Sequence, residues 1–186
     1  SDRDIKPFFL IKKIAKKKNF KLLDINQEFE KIKNLSSKFD TSFKVKNLAM
    51  AIKAVKLCGL KDYLIYESLK NLKDVSGRLE LVKSYKNKIK IFIDYAHTPD
   101  ALLKTIKSLK VKYGNNLSLV FGCGGERDIK KRPLMAKIAN ENCKKIYVTD
   151  DNPRNENPKK IRNQILKHIS KNKAFDIGNR QLAIKK

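Results

Sequence analysis

The amino-acid sequence predicts an α/β fold in which helices flank a mostly parallel sheet. Short apolar runs that are rich in β-branched residues indicate four strands, at 89–93, 117–121, 146–149 and 174–177. A polar loop and then a helical pattern follow each of the first three runs. Strands that alternate with helices along a chain pair in parallel, because each helix carries the chain back across the sheet.

The first part of the chain is mainly helical by the same criterion. Apolar spacing predicts helices at 7–18, 28–35, 43–57 and 62–72, and a strand at 20–25. Gly59 follows the third helix, at the position where helices commonly end. Ser76-Gly77 indicates a turn into a strand at Leu79 and Leu81, and 85–88 is either a hairpin turn or a domain boundary. We divide the chain into domains 1–80 and 81–186, with the fold of 1–42 left open.

Later in the chain, caps define the helix starts. Thr98 is a suitable N-cap and Pro99 suits the first helical position, so a helix is expected to run from there to about 112. The pair Asn157-Pro158 predicts a helix start by the same chemistry. The chain reaches 186 about one turn into a further helix.

The net charge of +25 raises the question of nucleic-acid binding. Only seven of the 44 basic residues are arginine, and the lysines are spread over nearly every predicted element. No recognition helix or RNA-binding aromatic motif stands out, so we expect no nucleic-acid partner. No apolar run is long enough to span a membrane, and 1–4 does not resemble a signal peptide, so a cytoplasmic location is expected.

Three polar patches follow the first three predicted strands, at 94–100, 122–128 and 150–154. Ligands bind open parallel sheets in the crevice beyond the carboxyl ends of the strands. The three patches therefore predict one composite binding site.

The first patch contains Asp94 and His97. An acid at the end of a strand commonly binds a metal, a ribose hydroxyl or an amine, and the alternative is a helix cap, for which Thr98 is better placed. His97 suits a phosphate or a stacked base, and a structural role is equally consistent with its spacing. His168 lies on a lysine-rich helix and is expected to be solvated.

The second patch is Gly122-Cys-Gly-Gly125, whose glycines allow the backbone to approach a ligand closely. It matches neither the phosphate loop of nucleotide hydrolases nor the dinucleotide-binding glycine pattern. Cys123 is expected to pack rather than to act as a nucleophile, because no histidine is placed as its base. Arg127 suits a carboxylate held by two hydrogen bonds, although a surface arginine is the more ordinary interpretation.

The third patch, Asp150-Asp-Asn-Pro-Arg154, combines acids, an amide and an arginine. An acid and an arginine held together suit a zwitterion, because the acid binds the ammonium group and the arginine binds the carboxylate. The alternative is an ordinary Asn-Pro turn with solvated charges.

Together these patches resemble the C-terminal domain of the Mur ligase family, in its MurE-type branch. The resemblance rests on Asp94-Tyr-Ala-His-Thr-Pro-Asp-Ala101, Phe121-Gly-Cys-Gly-Gly-Glu-Arg-Asp128, Lys131-Arg-Pro-Leu-Met135 and Thr149-Asp-Asp-Asn-Pro-Arg154. Two weaker segments, Asn47-Leu-Ala-Met-Ala51 and Ser76-Gly-Arg-Leu-Glu80, resemble the end of the central ATPase domain. The likeness covers about 43–186, and Glu126 stands where many members have Asp.

The resemblance implies a Rossmann-like C-terminal domain preceded by a partial, mainly helical end of the central ATP-binding domain. It also implies the activity: ATP, with Mg²⁺, phosphorylates the carboxylate of a UDP-linked muramoyl dipeptide, and the amine of meso-diaminopimelate attacks the acyl phosphate. The product is an amide in a precursor of peptidoglycan.

The resemblance assigns roles residue by residue. The amino-acid site comprises Arg127, Asp151, Asn152, Pro153 and Arg154, and the last four mark meso-diaminopimelate rather than lysine as the substrate. The residues that fall where the family contacts ATP are Asn47, Arg78, Asp94, Tyr95, His97 and Asp100. No catalytic residue and no metal ligand is assigned within the chain.

The family's phosphate-binding loop, carbamylated lysine, Mg²⁺ ligands and UDP-binding domain are expected upstream, and a Gly-Lys-Gly-His-Glu segment downstream. We therefore expect a monomeric fragment that binds small molecules weakly and catalyses nothing alone. A related amide ligase, such as a folylpolyglutamate synthetase, is the alternative within the superfamily. A basic nucleic-acid-binding module is the alternative from another class.

Overall fold

The computed structural model describes residues 6–35, 42–86 and 88–186, and it divides the chain into two compact units at Leu72 and Lys73. The sequence placed the domain boundary a few residues later, after 80. Each unit has its own core of buried hydrophobic side chains.

The first unit is mainly helical where it is described. Its helices are α1 (Lys6–Lys17), α2 (Asn26–Leu35), α3 (Ser42–Leu57) and α4 (Asp62–Ser68), and a single 3₁₀ turn at Leu69–Asn71 extends the last. Helices α2, α3 and α4 enclose a core of five buried residues, Ile32, Val45, Ala49, Ile52 and Ile65. Gly59 takes a φ of +86°, which ends α3 as the sequence predicts.

The strand predicted at 20–25 is wrong. These residues form no regular secondary structure and pair with no strand among the described residues. Phe20, Leu22 and Leu23 are largely exposed, so their apolar pattern covers no core. A strand is stable only when a neighbour completes its backbone hydrogen bonds, and local composition cannot supply that neighbour.

The second unit begins with an antiparallel hairpin. Strands β1 (Glu80–Ser84) and β2 (Lys90–Ile93) pair directly, with an irregularity between Leu81 and Lys83. The Tyr85 amide donates to the Ile89 carbonyl at 2.8 Å, which closes the turn. Of the two interpretations of 85–88, the hairpin turn is confirmed. The run at 89–93 is therefore a strand, but it does not join the parallel sheet.

The parallel sheet has three strands, β3 (Ser118–Phe121), β4 (Lys145–Val148) and β5 (Ala174–Asp176), in that spatial order. Helices α5 (Pro99–Tyr113), α6 (Lys131–Asn142), α7 (Pro158–Leu166) and α8 (Arg180–Ile184) flank it. The predicted α/β class is confirmed, with three parallel strands in place of four.

Local caps position the helices as predicted. The Thr98 hydroxyl accepts from the Ala101 amide at 3.3 Å, and the Asn157 side chain accepts from two amides of α7. Both helices begin at proline. Their buried faces, with those of α6 and β3–β5, form one core that includes Leu102, Met135 and Ile165. Within the described residues, no helix has the length and apolar composition needed to cross a membrane.

Candidate functional site

Two of the three polar patches lie against each other at the carboxyl end of the parallel sheet. Beyond the last strand pair, the Thr149 amide donates to the Phe121 carbonyl at 2.9 Å. The Gly125 amide then donates to the Asn152 carbonyl at 2.9 Å. In the opposite direction, the Arg154 guanidinium donates to the Gly125 carbonyl at 2.6 Å. We call residues 122–128 the glycine loop and residues 150–156 the acidic loop.

The glycines of the first loop allow this close approach. A Cβ atom at Gly125 would overlap the backbone carbonyl of Pro153, and one at Gly122 would overlap the carbonyl of Thr149. The atoms that exclude a side chain thus belong to Thr149 at the end of β4 and to the acidic loop that follows it. The sequence associated the glycines with close approach to a ligand, and the structure uses them to join the two loops.

The joined loops present charged and polar groups to solvent. Arg127 is exposed, and within the described parts of the chain no hydrogen bond or ion pair engages its guanidinium. Asp151 and Asn152 are exposed, and the Asp151 carboxylate accepts the Asn152 amide at 2.9 Å, with no cation paired to it within the described residues. The Arg154 backbone has a φ of +50°, and its amide donates to the Asn152 side-chain oxygen at 3.2 Å. The two joined loops thus carry two cations and one acid, which suit a ligand that carries both charges.

A partly buried ion pair, which the sequence did not reveal, lies beneath the loops. Arg132 of α6 is 0% exposed, and its guanidinium donates to both oxygens of Glu156 at 2.8 and 2.9 Å. It also donates to the Gly124 carbonyl at 3.0 Å and to Gln164 at 2.7 Å. One sequence signal was present: Arg132 occupies the same helix face as the buried Met135, Ala136 and Ala139.

The pair is charged on both sides. The hydrogen bond from Arg132 and then that from the Glu126 amide lower the pKa of Glu156 to about 2. The same partner raises the pKa of Arg132. Both groups are therefore ionised throughout the physiological range.

The neighbouring aspartate of the acidic loop has a structural partner. Arg162 of α7 pairs with Asp150, and its Nε donates to Asp176 at 2.5 Å. Arg180 adds a bond to the Asp150 carbonyl at 3.1 Å. These contacts anchor the start of the loop to α7, β5 and α8, and leave Asp151 to face solvent.

In the first patch the Asp94 carboxylate already accepts hydrogen bonds from other residues of the chain. It accepts from the Leu79 amide at 2.7 Å, the Ala96 amide at 2.8 Å and the Thr105 hydroxyl at 3.2 Å. The residue joins the turn before β1 to the loop after β2 and to α5. Thr98, not Asp94, caps the helix, as the sequence predicts.

Arg78, Tyr95 and His97 form an exposed cluster beside it. The Arg78 guanidinium lies 4.5 Å from the centre of the Tyr95 ring, and the His97 ring meets the same ring edge-on at 5.2 Å. The Glu80 carboxylate accepts from the Gly77 amide at 2.7 Å, which lowers the pKa of Glu80 and fixes the turn that carries Arg78. A cation and two exposed rings suit a base and its phosphates.

The two remaining predicted nucleotide contacts are Asp100 and Asn47. Asp100 is exposed in the first turn of α5 and pairs with Lys104 at 2.8 Å. Asn47 is exposed on α3, in the first unit. Lys131, at the start of α6, donates to the His97 carbonyl at 2.9 Å, which is a direct link from the first patch to the element that follows the glycine loop.

Cys123 is buried against Met135, with 4.0 Å between the two sulfurs. Burial raises the pKa of the Cys123 thiol, which keeps it protonated. His168 is exposed. Across the described residues, no three His, Cys, Asp or Glu side chains form a group able to hold a metal ion.

Comparison with known proteins places residues 77–186 in the family described as "Mur ligase, glutamate ligase domain". The 2,6-diaminopimelate ligase of Rickettsia bellii is 44% identical over 159 residues, which are 82% of this chain and 32% of that protein. The corresponding ligase of Rickettsia montanensis is 43% identical over 154 residues, 82% of this chain and 31% of that protein. The chain thus spans about a third of the length of the curated relatives it matches.

Solved structures of related ligases resemble this chain as well. A UDP-N-acetylmuramoyl-L-alanyl-D-glutamate–2,6-diaminopimelate ligase matches with a TM-score of 0.56 and 36% identity over 81% of this chain and 31% of that one. A folylpolyglutamate synthase from Thermotoga maritima matches with the same TM-score and 26% identity over 77% of this chain and 33% of that one.

Proposed function

The chain belongs to the Mur ligase family, and from that premise we propose that it is the amino-acid-binding part of an amide-forming ligase. The whole protein would join meso-diaminopimelate to UDP-N-acetylmuramoyl-L-alanyl-D-glutamate, a step in peptidoglycan precursor synthesis. The observation that carries the proposal is the pairing of the glycine loop with the acidic loop, which brings Arg127 and Arg154 to the same edge of the sheet.

The charges of the joined loops match the proposed amino acid. Meso-diaminopimelate carries two carboxylates and two amines, whereas lysine carries one carboxylate. Arg127 and Arg154 would each hold a carboxylate, Asp151 would hold an ammonium group, and Asn152 and Pro153 would shape the loop between them. Arg127, which no other group of the described chain engages, is available for a ligand without breaking an existing contact.

The second part of the proposal concerns ATP. Arg78, Tyr95 and His97 offer a cation and two rings to the nucleotide, and Asp100 is an exposed further contact. For Asn47, which is exposed on α3 of the first unit, the proposed contact with ATP rests on the resemblance alone. Asp94 would act chiefly by fixing the turn that carries Arg78, because its oxygens already accept three donors. ATP, when bound, supplies the phosphoryl group that activates the carboxylate of the muramoyl dipeptide. Mg²⁺ would be held mostly by residues outside this chain.

A calorimetric titration with meso-diaminopimelate, L-lysine and L-glutamate tests the proposed substrate. We expect selective binding of meso-diaminopimelate and its loss in Arg127→Ala and Arg154→Ala. Preference for L-glutamate would instead favour a ligase related to the folylpolyglutamate synthases, which are the second structural likeness. Equal binding of all three would refute the assignment of the acidic loop.

The proposal also covers the cellular location, the oligomeric state and the partners of the enzyme. We propose a cytoplasmic monomer whose partners are its small-molecule substrates, without a membrane or a nucleic acid. The charge of +25 makes the last point testable, because phosphate contacts by many lysines would make DNA affinity fall steeply with salt. Size-exclusion chromatography with light scattering checks the oligomeric state.

A further inference from the structure

The Arg132–Glu156 pair connects three separate segments beneath the candidate site. Its guanidinium contacts the glycine loop at Gly124, the acidic loop at Glu156 and helix α7 at Gln164. A guanidinium that is 0% exposed is shielded from bulk solvent, which therefore cannot replace these acceptors. Each broken contact would leave a buried donor unpaired, which is costly, so the three segments are held in one arrangement.

Glu156 also connects the residues next to Arg127 and Arg154, the two arginines that are proposed to bind the substrate. Its Oε1 atom accepts the Glu126 amide at 2.5 Å, while the Glu126 carboxylate accepts the Asn155 side-chain amide at 2.7 Å. Arg127 directly follows Glu126 in the chain, and Arg154 directly precedes Asn155. Each arginine is therefore one residue away from a group that is bonded across the two loops.

We propose that Arg132 and Glu156 are positioning residues that fix the separation of Arg127 and Arg154, and thereby the preference for an amino acid with two carboxylates. Glu126 and Asn155 reinforce the same separation at the surface. The inference rests on the proposed function, because it names what sets the selectivity of that site. Neither Arg132 nor Glu156 need touch the ligand, since both lie beneath the residues that do.

The physical reason is the geometry that two carboxylates require. One arginine alone can hold the single carboxylate of L-lysine, so its affinity does not depend on where the second arginine lies. A ligand with two carboxylates gains from the second arginine only if the spacing matches. Loosening the pair should therefore weaken meso-diaminopimelate selectively, whereas a general loss of folded protein would reduce the number of sites for both ligands equally.

The test uses Glu156→Gln, which keeps the size of the side chain but removes the charge and one acceptor. Glu141→Gln is the matched control, because Glu141 is exposed on α6. Titration of the 186-residue chain is expected to show meso-diaminopimelate binding weakened about tenfold in Glu156→Gln, and L-lysine binding changed by less than about twofold. The control should match the unaltered chain with both ligands.

A second variant protects the test against misfolding. Asn155→Ala removes only the exposed contact to Glu126, and Asn163→Ala on α7 is its control. We expect a smaller selective loss, about threefold, with unchanged thermal stability. Arg132→Lys completes the series: it retains the charge without the fork that contacts both oxygens of Glu156, so it should lose selectivity as Glu156→Gln does.

Amide hydrogen exchange gives a readout that needs no ligand. The Gly125 and Glu126 amides should exchange about tenfold faster in Glu156→Gln, while Ile146 in β4 stays unchanged. Unchanged exchange at the two loops, or equal weakening of both amino acids, would overturn the proposal. If the unaltered chain binds no amino acid while exchange responds as expected, the proposed substrate fails and the positioning of the loops by Arg132 and Glu156 stands.

Discussion

Replacing Arg132 by methionine should lower the free energy of unfolding of the second unit by about 3 kcal/mol. Removing one partner of a buried ion pair commonly costs about 3–5 kcal/mol, because the other charge stays behind unpaired. Here the cost should lie at the low end, because the Glu156 side chain keeps 23% of its exposure and still accepts the Glu126 amide. Methionine has a similar volume, so little of the loss comes from a cavity.

The double variant Arg132→Met/Glu156→Leu shows how much of the lost stability comes from leaving the Glu156 charge unpaired and how much comes from lost packing. Removing both charged partners leaves neither one buried alone, so stability should return to within about 1 kcal/mol of the unaltered chain. The free energies are measured by urea unfolding, followed through the NMR amide signals of β4 so that the first unit does not contribute. A loss below about 1 kcal/mol in Arg132→Met, or a double variant no more stable than the single one, would refute this reasoning.

Three further predictions follow from the same unit. The pKa of Glu156 is lowered from 4.5 to about 2, chiefly by its hydrogen bond from Arg132, so its contribution to stability is complete above about pH 4.5 and is lost as the pH falls towards 2. Urea unfolding of Glu156→Gln at several pH values should lack that part of the acid dependence, and an identical acid dependence would contradict the assignment. Asn157→Ala removes an acceptor of two helix amides, at 2.9 and 3.2 Å, and should cost about 1 kcal/mol of stability without changing ligand affinity, by urea unfolding and calorimetry. Gly125→Ala would place a methyl group on the Pro153 carbonyl, so calorimetry should show meso-diaminopimelate binding weakened more than about tenfold, and unchanged affinity would mean that the loops need not touch.

The elements that local chemistry defines could be predicted from the sequence. Thr98-Pro99 and Asn157-Pro158 contain the cap and the first residue of their helices, and the structure begins both helices there. Gly59 ends α3 because the chain needs a positive φ at that point. Such signals are complete within a few residues, so no distant partner decides them.

Strand pairing could not be predicted in the same way. The run at 89–93 has the composition of a central strand, yet its partner is the preceding strand β1, which returns through a tight turn. The run at 20–25 has a similar pattern but no partner among the described residues. Composition indicates that a segment can form a strand, and only the rest of the fold determines what it pairs with.

The candidate site was likewise predictable in part, where local residue types define it, and unpredictable where distant residues meet. The residue types of the glycine and acidic loops predicted a site at the carboxyl end of the sheet, and the two loops do meet there. The Arg132–Glu156 pair joins residues 24 positions apart, and only the folded structure places them together. Asp94 could not be resolved from spacing, because an acid at a strand end serves a ligand or the backbone equally well, and here it accepts backbone amides.

An NMR titration of the ¹⁵N-labelled chain with meso-diaminopimelate, with L-lysine as the comparison, tests directly whether the two loops bind the amino acid. This measurement detects weak binding and reports its location in one experiment. We expect shifts at Arg127, Asn152 and Arg154 that are larger with meso-diaminopimelate than with L-lysine, and that Arg154→Ala abolishes. Equal shifts with the two amino acids, or shifts confined to residues outside the glycine and acidic loops, would contradict the claim that these loops select a substrate with two carboxylates.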